Sequence, residues 1–412
     1  MSDTPIEREL SLLTAPETKV DLLNNNAFQN RNSNPRLSAE FSEKALEIAK
    51  SCDYEKGQAE SLLHIGFAKV HSAEHDISYA VLFQAIEIFS RLNDAAGVAN
   101  AQYNIAITHI RSGNFDDAID VLHKSLSYRE KVNDKPGIAA CYFQLTYIHQ
   151  HFNDYDAAFD AGTKALNLRK DMNDRVGEAA ALMILGELYM KKNDLPAAKE
   201  TLSRSLTLRK ESGEKMGYFA TLLRWSELHM LMNDFEPARK FSEEGLKIAG
   251  EEGVMYGVIR FRQMLGKIAL SGGDNSLAKE QYHLALELGE KHNFKSMLFE
   301  IHQSLAELFE IEKNFEKAYY HISLYNKFKE EVITLQSNGR LKSVQLLSKI
   351  EYAQKEAEAE KLRNAKLQEA YSIIEDKNKE IIDSITYAKR IQQSLLPPEI
   401  SIEKNLKRLM KK

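Results

Sequence analysis

An all-α solenoid of helical hairpins followed by one long C-terminal helix is the fold class this sequence predicts, and three observations carry it. First, six glycines, Gly57, Gly97, Gly137, Gly177, Gly217 and Gly257, stand 40 residues apart, so one unit is stacked end to end. Second, small residues recur in phase: Gly66, Ala106, Thr146, Gly186, Ser226, Gly266 and Ala306, then Ala118, Ala158, Ala198, Ala238, Ala278 and Ala318. Such residues let two helices approach closely. Third, the period stops near residue 333, and from Thr334 to Leu396 there is one glycine, Gly339, and no proline.

In chain order, residues 1–16 are expected to be a disordered N-terminus and 17–53, with Leu22, Leu23, Ala45 and Leu46, a degenerate capping hairpin. Residues 54–333 then form seven repeats of 40. Between the two small positions of each unit lies a turn. Asn114, Asp154, Asp194, Asp234, Asp274 and Asn314 precede apolar-periodic runs, where a side-chain oxygen can accept from the free amides of a helix start. Phe115, Tyr155, Leu195, Phe235 or Phe315 follows most of them. Each unit therefore reads as helix, short turn, helix, here called the inner and outer helix.

Residues 334–396 read as a coiled-coil helix. The stretch is rich in Ala, Glu, Lys and Leu, which favour helix, and Leu367, Tyr371, Ile374, Asn378, Ile381, Ile385, Ala388, Gln392 and Leu395 alternate at steps of four and three. That spacing keeps one seam facing a partner, with Asn378 and Gln392 favouring a single register at some cost in stability. Some 60 helical residues at ~1.5 Å each would make a rod of about 90 Å, and a homodimer is expected. Residues 397–412 are expected to be a tail, with KNLKRLMKK read as a soluble basic end.

Composition sets bounds. The chain of 412 residues is 43% hydrophobic and 28% charged, with 8 prolines and 19 glycines, which suits a large α-protein. A net charge of −5 argues against chain-wide attraction to nucleic acid. No apolar run reaches the ~18 residues of a membrane span, and MSDTPIEREL lacks a basic-then-apolar signal, so a cytoplasmic protein is expected. Cys52 and Cys141 give no disulfide framework; Cys141, in the slot of Ala101 and Ala181, reads as a small core residue.

The hairpin pattern of small residues, with a large apolar residue such as Leu122 or Leu202 four beyond the alanine, resembles the tetratricopeptide repeat. The usual unit has 34 residues; one of 40 is similar to the longer variety of kinesin light chains, LGN-type adaptors and Rap-type bacterial regulators. The resemblance implies a superhelix whose inner helices line a concave wall. In this register the wall presents Asn100, Tyr103, Ile107, Ile110 and Arg111, then Phe143, Tyr147 and His151, then Met183, Glu187, Met190 and Lys191, then Leu223, Glu227, Met230 and Leu231. Aromatic and methionine side chains among charges suit a groove for a peptide or helix; the alternative is that they fill the seam between neighbouring helices.

Two ladders have plain readings. Arg129, Arg169 and Arg209 fall near the ends of outer helices, where cations complement the helix dipole, so a solvated face is expected over an anion site. His109, His149 and His229 lie one and two repeats apart, not i, i+4 on one helix, and read as packing residues rather than metal ligands. No phosphate loop, GxSxG, CxxC or paired His/carboxylate motif occurs, and neither cofactor nor metal is expected.

The segment DSITYAKRIQQSLLPPE resembles the helix leading into the catalytic domain of bacterial SpoIIE/RsbU-type PPM serine/threonine phosphatases, through Ile385, Tyr387, Ala388, Arg390, Ile391, Gln392, Leu395, Leu396 and Pro397. The family's metal-binding aspartates would follow, but no Asp occurs after Asp383 and fourteen residues follow Pro398, so catalysis is not expected of this chain. The resemblance implies a sensor that binds a protein or peptide and signals through a dimeric linker, with Ile374, Asn378, Ile381, Ile385, Ala388, Arg390, Gln392 and Leu395 at the dimer or linker positions. The alternative is a stand-alone adaptor.

Overall fold

The computed structural model describes residues 5–31, 34–72, 74–395 and 399–411. They are helical, with no strand among them. Helix α1 (Pro5–Leu12) precedes a hairpin of α2 (Pro16–Asn30) and α3 (Pro35–Ser51). Seven hairpins follow: α4 (Glu55–His71) with α5 (His75–Arg91), α6 (Ala95–Ser112) with α7 (Phe115–Lys131), α8 (Lys135–His151) with α9 (Tyr155–Asp171), α10 (Arg175–Lys191) with α11 (Leu195–Ser212), α12 (Lys215–Leu231) with α13 (Phe235–Glu251), α14 (Met255–Ser271) with α15 (Asn275–Lys291), and α16 (Lys295–Ile311) with α17 (Phe315–Leu395). Helix α18 (Glu399–Leu409) is the last. Two compact units result, residues 1–344 and 345–412.

Within the first unit the inner helices α2, α4, α6, α8, α10, α12, α14 and α16 each pack against the next inner helix, whereas no outer helix packs comparably against the next outer one. The inner helices therefore line the short side of the curve, as the sequence predicts.

The turns obey a period of 20. A left-handed residue closes both the turn between units (Asp53, Asn93, Asn133, Asn173, Gly213, Gly253, Asn293) and the turn within them (Gly113, Asn153, Asn193, Asn233, Gly273, Lys313). Asn and Gly tolerate that conformation best. Asp154, Asp194, Asp274 and Asn314 cap the outer helices as expected. Asp234 does not, because its carboxylate is 3.0 Å from His229 Nδ1, and the buried Asn114 side chain caps nothing. A second cap ladder was hidden in the sequence: Asp94, Asp134, Asp174 and Glu214 accept from the amides of Gly97, Gly137, Gly177 and Gly217.

Those glycines are places of close approach. A Cβ on Gly97 would lie 2.5 Å from Phe89 Cε1, on Gly137 2.6 Å from Arg129 Cζ, and on Gly177 2.6 Å from Arg169 Cδ; on Gly217 it would run into the Arg209 guanidinium. The space belongs each time to the residue eight positions earlier. Where that residue is small, as at Ala249, its own Cβ still lies 2.9 Å from the Gly257 position and Phe219 of the preceding inner helix closes to 3.0 Å beside it. In the last unit the pair is inverted: Gly289 stands in the arginine's place and the buried Met297 in the glycine's.

This corrects the reading of Arg129, Arg169 and Arg209 as a solvated face. Arg129 and Arg209 are buried, 6% and 5% exposed, and the three pair with Asp134, Asp174 and Glu214, the caps of the next helix. The helix-end argument is local, whereas the glycine eight residues on opens a slot that admits the guanidinium. Cys141 is fully buried beside Leu122, Leu145 and Ile148, and burial pushes its thiol pKa up.

Three terminal expectations also change. Residues 5–12, expected to be disordered, form α1, because Leu10 packs on the cluster of Val20, Leu23, Ala45 and Ala49. No element ends at 333–334; α17 is the outer helix of the last hairpin and runs on to Leu395 without a break. The tail contains α18, where Lys407 lies one turn from Glu403 at 3.8 Å. No helix among the described residues is long and apolar enough to cross a membrane.

Candidate functional site

The inner wall is built by residues 37–41 apart on successive inner helices. Asn104 donates to the Leu63 carbonyl at 3.4 Å, and Gln144 donates to the Tyr103 hydroxyl at 3.2 Å. Gln150 donates to Glu187 at 3.0 Å. Arg224 bridges Glu187 at 3.2 Å and Glu227 at 2.7 Å. Arg260 reaches Glu300 and lies over the Tyr256 ring. These ties rivet neighbouring units.

Of the expected wall residues, Asn100, Arg111, Tyr147, His151, Lys191 and Leu231 are exposed, and Ile107, Ile110, Phe143, Glu187, Glu227 and Met230 are half-buried. Tyr103 is half-buried against the core of Ala106, Leu122 and Cys141, and burial raises its pKa. Met183 and Met190 pack beside Trp225 and Leu228. Leu223 is a correction. It is buried with Phe219, Phe261 and Met264, because inner helix α12 turns that position toward the seam, so it cannot meet a ligand.

Sequence reasoning missed Gln144, Gln150 and Arg224, whose partners lie 37–41 residues away. It also missed that Arg129 reaches the wall. Its guanidinium donates to Ser125 at 3.1 Å, to Asp134, and to Asn100 at 2.7 Å, so a buried cation orients an exposed wall amide.

A largely exposed aromatic group lies where α7 begins and α8 ends. Phe115 stacks on His151 with ring centres 3.9 Å apart, and Tyr147 and Phe152 complete the cluster. Tyr147 is 47% exposed, which is unusual for a large ring beside a fully formed core. At the start of the wall a cavity of about 320 Å³ is lined by Asp21, Asn24, Asn25, Phe28, Tyr54, Lys56, Glu60 and His64. Burial, with the nearby Arg31 charge, pushes the His64 pKa down to about 4.

His109 is buried with its Nδ1 3.1 Å from the Tyr79 hydroxyl, and burial lowers its pKa to about 4. His229 faces Asp234, while His149 is 3.9 Å from Asp154. Among the described residues no group of three or more His, Cys, Asp or Glu could hold a metal ion.

In α17 the seam residues Ile374, Asn378, Ile381, Ile385, Ala388 and Gln392, with Arg390, are all exposed in the single chain. The Leu395 side chain, and Leu396 and Pro397 altogether, lie outside the described residues.

Models described as tetratricopeptide repeat match residues 97–171 and 179–212. No curated protein matches the chain by sequence. Solved structures are similar in fold. The apo quorum sensor NprR from B. thuringiensis superposes with a TM-score of 0.61 at 16% identity, over 79% of this chain and 91% of that one. A Rap protein complexed with Competence and Sporulation Factor gives 0.60 at 14% identity, over 81% and 92%. The Rap conjugation gene regulator of plasmid pLS20, in complex with the Phr* peptide, gives 0.56 at 12% identity, over 78% and 98%. Residues 97–171 and 179–212 thus carry tetratricopeptide repeats, and the array shares the fold of these solved structures.

Proposed function

We propose that the chain is a regulatory sensing module. Its inner wall binds a peptide or protein segment, and the helix beyond the repeats pairs with a second copy and conveys the bound state to a SpoIIE/RsbU-type serine/threonine phosphatase domain. The carrying observation is the wall itself: Tyr147, His151 and Arg111 stand exposed on inner helices whose neighbouring positions are closed into the core. A Rap conjugation gene regulator of similar fold has been solved with the Phr* peptide, and a Rap protein with Competence and Sporulation Factor, which supports the peptide reading. The exposed heptad stripe of Ile374, Ile381 and Ile385 supports pairing, and the output class rests on the sequence resemblance of Ile385–Pro397 alone. For such coupling the ligand must bind one arrangement of the paired helices better than the other.

Capture of partners by the full chain, compared with a Tyr147→Ala, His151→Ala variant of equal helicity, tests the wall. Partners retained equally by both would refute it. Activity of a phosphatase domain of this class fused after the chain, with and without the captured partner, tests the output; an unchanged rate would refute the coupling.

A further inference from the structure

The last turn of the inner helix carries a cation or an imidazole in four successive units, His71, Arg111, His151 and Lys191, all exposed. In the next three units the same position holds Leu231, Ser271 and Ile311. Helix-dipole complementarity would ask for cations in all seven, so it does not account for a ladder confined to the first four. One turn earlier on the same helices lie Phe67, Ile107 and Tyr147, followed by Glu187 and Glu227.

The two halves of the wall also differ in how their charges are satisfied. Toward the C-terminal end the carboxylates and guanidiniums close on one another, Glu187 and Glu227 on Arg224, and Glu300 on Arg260. Among the described residues none of His71, Arg111, His151 and Lys191 has a carboxylate within 4 Å. Several acids of the first half are engaged elsewhere: Asp21 accepts from Tyr54, Glu60 lies by Lys56, and Glu74 pairs with Lys69. The two imidazoles are also held in place, His71 against Phe67 at 4.9 Å and His151 on Phe115 at 3.9 Å between ring centres.

We propose that the wall from α4 to α10 takes an acidic, partly apolar peptide segment in extended form. Its carboxylates meet His71, Arg111, His151 and Lys191, and its apolar side chains lie on Phe67, Ile107 and Tyr147. The proposal rests on the reading of the wall as a peptide site and adds the ligand's charge and place. Neighbouring packed helices lie roughly 8–10 Å apart, and an extended chain advances ~3.3 Å per residue, so acidic residues about every third position match the rungs.

The test uses the full chain and three labelled twelve-residue peptides, (Glu-Leu-Ser)4, (Gln-Leu-Ser)4 and (Lys-Leu-Ser)4, with single-stranded DNA of similar length as competitor, read by fluorescence anisotropy. The acidic peptide should bind, weaken as salt is raised, and lose at least about tenfold in affinity in an Arg111→Glu, Lys191→Glu variant of unchanged helicity. Arg111→Lys should retain most of the affinity, and Lys267→Glu, in the other half of the wall, should change nothing. Preference for the lysine peptide, an unaffected charge-reversal variant, or equal displacement by DNA would overturn the proposal. Tyr147→Ala separates it from its premise: if the lysine peptide binds and Tyr147→Ala abolishes that binding, the wall is a peptide site of the opposite charge.

Discussion

Replacing Gly137 by Ala sets two side chains in competition for one space. The new Cβ would lie 2.6 Å from Arg129 Cζ, so the guanidinium must leave its slot between Ser125, Asp134 and Asn100. Hydrogen bonds to a charged group are worth about 1.5–3 kcal/mol net. Asp134, a third exposed, recovers part of the loss from water, which places the cost at ~2–3 kcal/mol. Alanine in place of glycine near a helix start returns at most about 1 kcal/mol, leaving a net destabilisation of ~1–2 kcal/mol. In an Arg129→Ala background the guanidinium is gone and only the Asp134 carboxylate must shift, so the same change should be close to neutral, the helix gain of up to about 1 kcal/mol offset by the disturbed cap. The cycle therefore predicts a coupling of ~1–2 kcal/mol between residues eight apart. Repeat arrays open locally rather than all at once, so the assay is native-state hydrogen exchange of α7 and α8 amides in the four chains. An equal cost of Gly137→Ala in both backgrounds would refute the volume exchange.

Other expectations follow from the same geometry. Asp194→Ala should destabilise α11 by about 1 kcal/mol through loss of its cap, whereas Asn114→Ala should cost α7 nothing on that account; exchange rates in the first turns of the two helices decide. The full chain should sediment as a dimer and an Ile381→Asp, Ile385→Asp variant as a monomer; an unchanged mass would remove the coiled-coil reading. His109, His302 and His321 are buried with pKa values pushed down to about 4, each chiefly by burial. Unfolded histidine titrates near 6.5, so the unfolded chain binds more protons between these values, and stability should be full above about pH 6.5 and fall as pH drops toward 4. His109→Gln should shallow that fall in urea titrations at stepped pH; an identical slope would show that His109 does not carry it.

The repeats were legible because small residues at helix crossings cannot be exchanged for large ones, and Ala118 to Ala278 announce five crossings by themselves. The arginine slots were misread because a helix end was judged alone. The recurring triplets Arg129–Asp134–Gly137, Arg169–Asp174–Gly177 and Arg209–Glu214–Gly217 contain the answer once the three residues are taken together. Leu223 was misplaced for a related reason: wall and seam positions lie side by side on one helix, and burial decides between them only after neighbours are packed. Bridges such as Gln144 to Tyr103 join residues 41 apart, beyond any local pattern. Helices α1 and α18 escaped because short amphipathic segments carry little periodic signal.

The inverted pair at Gly289 and Met297 gives the array a direction of growth. Removing residues 134–173 would set Arg129 before Gly177, a combination of the kind already present, and such a shortened chain should fold with one hairpin fewer. Removing residues 214–293 would instead drive Arg209 against Met297, where no room exists. Units in the middle can thus be gained or lost by whole-period recombination, so the length of the wall is free to drift between descendants of the same gene. The hairpin that opens into the long helix is keyed to its single neighbour and must be inherited with it.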